Sequence, residues 1–213
     1  MFVIFDLDGT VWDSARGIVG CLRECFEHHG LVAPSDAASR AVLGPPLRDM
    51  LAELGMPDEV LDPAVIDYRE RYSEWGAFEA DLYDGMVDVL DRLIADGHRL
   101  ATATSKGEVG TALMIDHFGL RDRFEVIGAS SMDGVTTTKS AVIGRTLDAL
   151  GNPHPDDCLM VGDRRHDVEG AAAHHIRCVG VSWGYGSVEE LIDAGATAIA
   201  ERPADVPRLV GRK

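Results

Sequence analysis

The sequence predicts an α/β fold, a doubly wound parallel sheet with an inserted helical unit near its start. Three observations carry this. Short apolar runs such as Phe2-Val3-Ile4-Phe5 and Cys158-Leu159-Met160-Val161 lack polar alternation, the pattern of strands buried on both faces. After residue 85 such runs alternate with segments whose apolar residues recur at helical spacing, and β-then-α repetition builds parallel sheets with right-handed crossovers. Between residues 14 and 84 the pattern is helical throughout, with no convincing strand. The expected division is a core of residues 1–13 and 85–213 and a helical unit of residues 14–84.

In chain order, the first strand covers residues 2–5 and ends at a turn that Gly9 permits. Helices follow over residues 15–29, 36–43, 46–54 and 57–76, separated by Gly30, Gly44-Pro45-Pro46 and Gly55-Met56-Pro57. A helix over 86–95 stops near Gly97, a strand covers 99–104, and a helix over 108–118 ends at Gly119. Then come a strand at 124–129, a helix at 140–150 closed by Gly151, and a strand at 158–161. The alternation continues through 168–175, 177–181, 188–194 and 197–200, with a terminal helix over 204–210. There is no internal repeat and no low-complexity segment.

At 213 residues and 46% hydrophobic, the chain is long enough for one substantial core with a smaller satellite. A net charge of −16 with no run of Lys and Arg argues against a nucleic acid polymer or an anionic membrane as partner. No signal peptide or membrane-spanning pattern is legible, so the expectation is a cytoplasmic enzyme, monomer or homodimer, acting on a small molecule. Cys21, Cys25, Cys158 and Cys178 follow no C-x-x-C pattern and are expected as reduced thiols. Cys21, Cys25, His28 and His29 share one helical face and have zinc-ligand chemistry, although cysteine at that spacing is ordinarily a core residue.

Asp6 and Asp8 stand where the first strand runs out, the place where open α/β sheets form their sites. Acids are depleted from strands and costly to bury unpaired, so two of them call for a cation, and Mg²⁺ takes one or two carboxylates plus water and phosphate. Thr104-Ser105 is expected to open a helix, where a hydroxyl and free N–H groups cradle phosphate or simply cap the helix. Lys139 stands out through scarcity, because Lys106, Lys139 and Lys213 are the only lysines. Val161-Gly162-Asp163 repeats the strand-then-acid pattern, and Asp167 is either a further acid of the site or a first-turn helix acid.

Asp6-x-Asp8-Gly9-Thr10, Thr104-Ser105, Lys139 and Gly162-Asp163-x-x-x-Asp167, in this order, resemble the haloacid dehalogenase-like hydrolase superfamily over nearly the whole chain. Gly44-Pro45-Pro46-Leu47, Tyr68-Arg69, Tyr83-Asp84-Gly85 and Trp183-Gly184-Tyr185-Gly186 are similar to the phosphoglycolate phosphatase-like branch, which inserts a helical cap into a Rossmann-like core. The resemblance implies Asp6 as nucleophile forming an aspartyl-phosphate, and Asp8 as acid then base. It implies Mg²⁺ held by Asp6, the Asp8 carbonyl and Asp163, with Asp167 acting directly or through water. Thr104, Ser105 and Lys139 hold the phosphoryl oxygens on this reading, with Leu7, Gly9 and Thr10 beside them. Arg16, Arg23, Arg40, Arg48, Arg69 and Arg71 of the helical unit are candidates to meet a carboxylate or second phosphate or are solvated helix faces, and Arg48, just beyond the Gly-Pro-Pro turn, is the expected substrate contact.

Ser105 stands where the branch often has Asn, the segment after Lys139 lacks the usual prolines, and Trp12 replaces a commoner aliphatic residue. These departures bear on the substrate. Phosphoglycolate and a nucleoside 5'-monophosphate are both expected candidates, with a sugar-phosphate mutase and a non-catalytic phosphate binder as further alternatives. Asp8 argues against a dehalogenase, and the lack of a lysine before Lys106 against a phosphonatase.

Overall fold

The computed structural model describes residues 1–132 and 138–211. Its centre is a six-stranded parallel sheet in the order β5-β4-β1-β6-β7-β8, made of β1 (Phe2–Phe5), β4 (Arg99–Gly107), β5 (Val126–Ser130), β6 (Cys158–Gly162), β7 (Arg177–Val181) and β8 (Ala198–Ala200). β1 lies in the middle, with Phe5 opposite Thr102 on one side and Val161 on the other. Its burial explains its lack of polar alternation: Val3 and Phe5 enter the apolar cluster on one face, Ile4 the cluster on the other. The order reverses direction at β1, which makes its carboxyl end the crevice of the sheet.

Helices α5 (Met86–Ala95), α6 (Glu108–His117), α7 (Lys139–Ala149), α8 (Arg165–Ala172), α9 (Val188–Asp193) and α10 (Val206–Val210) connect or flank these strands. Four helices, α1 (Ala15–His28), α2 (Asp36–Ala41), α3 (Leu47–Glu53) and α4 (Asp58–Glu74), form the inserted layer. Their ends fall within three residues of the sequence expectation, because the Gly and Pro turns set them. Residues 14–84 do contain a strand, contrary to expectation. β3 (Asp81–Leu82) pairs antiparallel with β2 (Trp12–Asp13), so both crossings into the helical layer are tied in a two-stranded ribbon. Two-residue strands leave no periodicity to detect.

α8 starts and ends three residues before its expected bounds of 168–175, and β4 runs three residues past its expected end, to Gly107. The register slips between Thr104 and Gly107, and this bulge lets Gly107 pair with Ser130. Thr104 and Ser105 therefore lie on a strand end, and the first turn of α6 begins only at Glu108. The apolar cluster on one sheet face continues without a break from Val3 and Leu7 into Leu22, Leu51 and Tyr72 of the helical layer.

The joint between α1 and the chain returning to the sheet is close enough to exclude a side chain. A Cβ on Gly17 falls 1.9 Å from the Gly76 carbonyl oxygen. Gly17→Ala is expected to destabilise the fold by about 1–3 kcal/mol through overpacking, measured as a lowered urea midpoint at unchanged m-value.

Candidate active site

The site forms where β1, β4 and β6 end together. The Asp6 N–H donates to the Val161 carbonyl at 2.9 Å, continuing the β1–β6 ladder by one residue and setting Asp6 beside Gly162. Next comes a tight loop in which the Leu7 carbonyl accepts from Thr10, Val11 and Trp12. Gly9 turns it with φ +80°, and a Cβ there falls 2.3 Å from Asp163 Oδ2. Gly162 and Gly184 are equally confined, since a Cβ on either falls 2.3 Å from an atom of Asp167 or Asp163.

Ligand atoms of Asp6, Asp163 and Asp167 lie within 4.8 Å of one another, and all three residues are buried. Lys139, the first residue of α7, reaches two of them. Its Nζ lies 2.8 Å from Asp6 Oδ1 and 2.8 Å from Asp167 Oδ1 and donates to the Ala103 carbonyl at 3.0 Å. Asp6 Oδ1 and Asp167 Oδ1 gain this ionic contact but no well-aligned hydrogen bond. Asp163 accepts from Thr10 Oγ1 at 3.3 Å and from the Tyr185 N–H at 2.7 Å. Asp167 accepts from the Arg164 N–H at 3.0 Å, which gives it the first-turn helix role alongside its place in the cluster.

One ammonium does not offset three buried carboxylates. Burial pushes the Asp6 carboxyl up to about 6, with Lys139 opposing and Asp167 adding to the rise. Burial, then Asp167 and Asp6, hold Asp163 well above the usual carboxylate range. Lys139 is buried too, yet Asp167 and Asp6 outweigh that and raise it. A hard divalent cation fits this set: the donors are oxygens, two of them lack an aligned partner, and the excess charge is negative.

Asp8 has a different environment. Its Oδ1 accepts from Trp12 Nε1 at 2.7 Å and Ser14 Oγ at 2.5 Å, and its Oδ2 pairs with Lys106 Nζ at 2.8 Å. Burial acts to raise this carboxyl, but Lys106 and the two donors outweigh it and the net shift is downward. Lys106 Nζ also lies 4.2 Å from the centroid of the Tyr72 ring on α4, so it spans sheet and helical layer. Tyr185 adds a second tie, because its hydroxyl accepts from the Ser14 N–H at 3.0 Å and donates to Asp13 at 3.3 Å.

Above the cluster is a cavity of about 450 Å³ lined by Asp6, Asp8, Thr104, Ser105 and Lys106 from the sheet and by residues of α3 and α4 from the helical layer. The structure thus brings Asp6, Asp8, Thr104, Ser105, Lys139, Asp163 and Asp167 to one sheet edge. Thr104 Oγ1 accepts from the Lys106 N–H at 3.3 Å, so the expected helix-end phosphate cradle is replaced by a bulged strand end. Three expected phosphate contacts lie off the cavity wall. The Leu7 side chain is core, Gly9 packs on Asp163, and the Thr10 hydroxyl is spent on Asp163 while its carbonyl accepts from Trp183. Arg48 lines the cavity, but its guanidinium pairs with Asp62. Of the zinc-type residues, Cys25 and His29 meet Asp67 within 4.8 Å, and Asp67 is already paired with Arg71. All four cysteines are free thiols.

Sequence reasoning misses Lys106, Trp12, Ser14 and Tyr185 as site residues, although the scarcity of lysine points to Lys106 and Trp12 is a departure from the branch. Tyr185 lies in the Trp183-Gly184-Tyr185-Gly186 segment but with no role attached to it, and nothing local marks Ser14, which it meets across 171 residues of chain.

The haloacid dehalogenase-like hydrolase family model matches residues 3–181. The chain belongs to that family. It is 42% identical over 207 residues to the tyrosine-protein kinase PtkA of Mycobacterium tuberculosis, covering 97% of this chain and 70% of that protein. It is 36% identical over 190 residues to a 5'-nucleotidase of Pseudomonas aeruginosa (89% and 86% covered). A phosphoglycolate phosphatase of Rhodospirillum rubrum is 30% identical over 208 residues (92% and 85%). Among solved structures, a predicted phosphatase from Clostridium acetobutylicum superposes with a TM-score of 0.92 at 34% identity, covering 98% and 97% of the two chains. This haloacid dehalogenase-like chain is an enzyme of the phosphatase type. Among the described residues no helix is long and apolar enough to cross a membrane.

Because the folded Asp6 carboxyl titrates above its unfolded value of 3.8, the native state binds the extra proton between these values, and stability falls as pH rises from about 4 to 6. In chelator, Asp6→Asn removes this contribution. The stability of the variant relative to the parent protein is expected to rise by up to about 3 kcal/mol across that window, read by urea unfolding at successive pH values.

Proposed function

We propose that this chain is a Mg²⁺-dependent phosphomonoester hydrolase working through an aspartyl-phosphate on Asp6. The observation that carries the reading is the buried Asp6, Asp163, Asp167 and Lys139 cluster beneath a cavity that Asp8 also lines. Asp6, Asp163 and Asp167 would hold the metal, which when bound neutralises phosphoryl charge and orients the ester. Hydrolysis of phosphate monoesters can need up to ~10²¹-fold acceleration, about 28 kcal/mol at about 1.36 kcal/mol per decade. That scale calls for several charges acting on a placed nucleophile.

In the first half-reaction an Asp6 carboxylate oxygen attacks phosphorus, the ester P–O bond breaks, and the leaving oxygen takes its proton from Asp8. In the second, Asp8, now a carboxylate, takes a proton from water as that water attacks phosphorus and releases Asp6. Lys106 holds Asp8 ionised in the conformation described. Asp8 therefore gains its proton only as Lys106 turns away, and an incoming phosphate is the anion that competes for it. The β2–β3 ribbon is the hinge in this reading, and the helical layer is a cap that closes on the core. The setting is cytoplasmic.

The cavity bears on the substrate. About 450 Å³ lies in the range of about 300–1,000 Å³ that encloses ligands of drug size, and a two-carbon phosphoester fills little of it. Its wall includes Tyr68 and Tyr72, stacked with centroids 5.8 Å apart. These features support an organic phosphate with a ring-sized body, such as a nucleoside 5'-monophosphate, over phosphoglycolate. A second reading, phosphoryl transfer to or from a tyrosine hydroxyl, draws on the 42% identity to a protein named a tyrosine kinase.

The test is phosphate release with Mg²⁺ from a panel of adenosine 5'-monophosphate, phosphoglycolate and phosphotyrosine, with label transfer from γ-labelled ATP to a tyrosine peptide in parallel. Ring-bearing esters are expected to turn over best, and excess chelator or Asp6→Asn to lower kcat by at least about 10³-fold. Turnover that survives in Asp6→Asn overturns the proposal. Lys106→Met lets the Asp8 carboxyl rise, so the high-pH limb of kcat/KM, set by loss of the Asp8 proton, is expected to move to higher pH.

A further inference from the structure

Four basic or acidic partnerships around the cavity are already closed. Lys139 is held by Asp6 and Asp167, Lys106 by Asp8 and Arg48 by Asp62. Arg69 is the exception. It lines the same cavity, is half-buried, and has no carboxylate partner among the described residues. The other half-buried arginines with described partners are each paired: Arg71 with Asp67 and Glu24, Arg123 with Asp91, and Arg164 with Glu190. In a chain with 36 acidic and 20 basic residues, Arg69 is thus the cavity-lining arginine without an acid among the described residues.

Its position on α4 is specific. Asp62, Val65, Arg69, Tyr72 and Ser73 recur at helical spacing along the stripe that faces the cavity, so Arg69 lines it from the helical layer while Asp6 and Asp8 line it from the sheet. Guanidinium is a fixed planar fork matched to carboxylate and phosphate, and half-burial strengthens such a contact relative to open solvent. The stacked Tyr68 and Tyr72 rings border it with apolar surface.

We propose that Arg69 is a specificity-determining residue that binds a second anionic group, a carboxylate or a phosphate, on the leaving-group part of the substrate. The inference rests on the phosphomonoesterase reading for the identity of the first anion. It places the preferred substrate among organic phosphates with a ring-sized body and a second negative charge, and it assigns Arg69 no part in bond making.

The experiment uses the full chain carrying Asp6→Asn, with Mg²⁺, so that ligands bind without turnover, and reads Kd by calorimetry. One probe pair is glycerol 2-phosphate against 2-phosphoglycerate, which differ by a carboxylate in place of a hydroxymethyl group. The other is adenosine 5'-monophosphate against adenosine 3',5'-bisphosphate. With Arg69 present, at least one doubly anionic member is expected to bind about tenfold or more tighter than its partner, and the pair that shows it tells carboxylate from phosphate. Arg69→Met is expected to bring that ratio to within about twofold of one, and Arg69→Lys to restore part of it. No preference in either pair, or a preference that survives Arg69→Met with its melting temperature unchanged, overturns the assignment. Phosphate release by the Asp6 protein is scored separately, so a failed phosphatase reading is distinguishable from a failed Arg69 assignment.

Discussion

Three buried carboxylates around one described ammonium form the constraint on which the rest of the structure depends. Such a set is costly without compensation, because carboxylates resist leaving water and repel one another. Its neighbours are accordingly chosen for what they donate or for the room they leave. Lys139 is anchored by the Ala103 carbonyl, Thr10 and the Tyr185 N–H secure Asp163, and the Arg164 N–H secures Asp167. Gly9, Gly162 and Gly184 are small where any side chain would collide with the acids. The parallel register of β1 between β4 and β6 helps bring these groups from five distant stretches of chain to one edge.

Asp6 and Asp8 are two residues apart and are pushed in opposite directions. Asp6 shares its burial with like charges and rises to about 6, whereas Asp8 faces Lys106, Trp12 and Ser14 and falls. Environments that separate the pKa values of two nearby acids are how a site divides roles between them. The division here depends on Lys106, whose ammonium also lies over the Tyr72 ring. A single side chain therefore touches both the carboxylate whose ionisation it favours and a ring of the helical layer.

The helical layer is joined to the sheet by continuous apolar packing, by the β2–β3 ribbon, and by Tyr185 bridging Ser14 and Asp13. These ties place an α4 stripe of mixed chemistry over the acids. That wall presents two stacked aromatic rings and an arginine that has no acid among the described residues to a cavity of about 450 Å³.

The sequence by itself determined the element order, the strands buried on both faces and the acids at their ends, because periodicity, glycine and proline turns and strand-end carboxylates act over a few residues. Asp6 and Asp163 are legible for that reason, and Lys139 through the scarcity of lysine. Only the tertiary structure decided what depends on contacts between distant stretches. The bulge that extends β4 arises from pairing Gly107 with Ser130, so Thr104 and Ser105 left the helix end where local spacing put them. Thr10 looked like a phosphate contact and instead serves Asp163, a partner 153 residues away. Lys106 was visible as a rare residue, but its work on Asp8 and Tyr72 exists only once sheet and helical layer meet. The prominence of Arg69 over Arg48 turned on which carboxylates fall within reach, and that is set by the packing of α3 against α4 rather than by the sequence around either arginine.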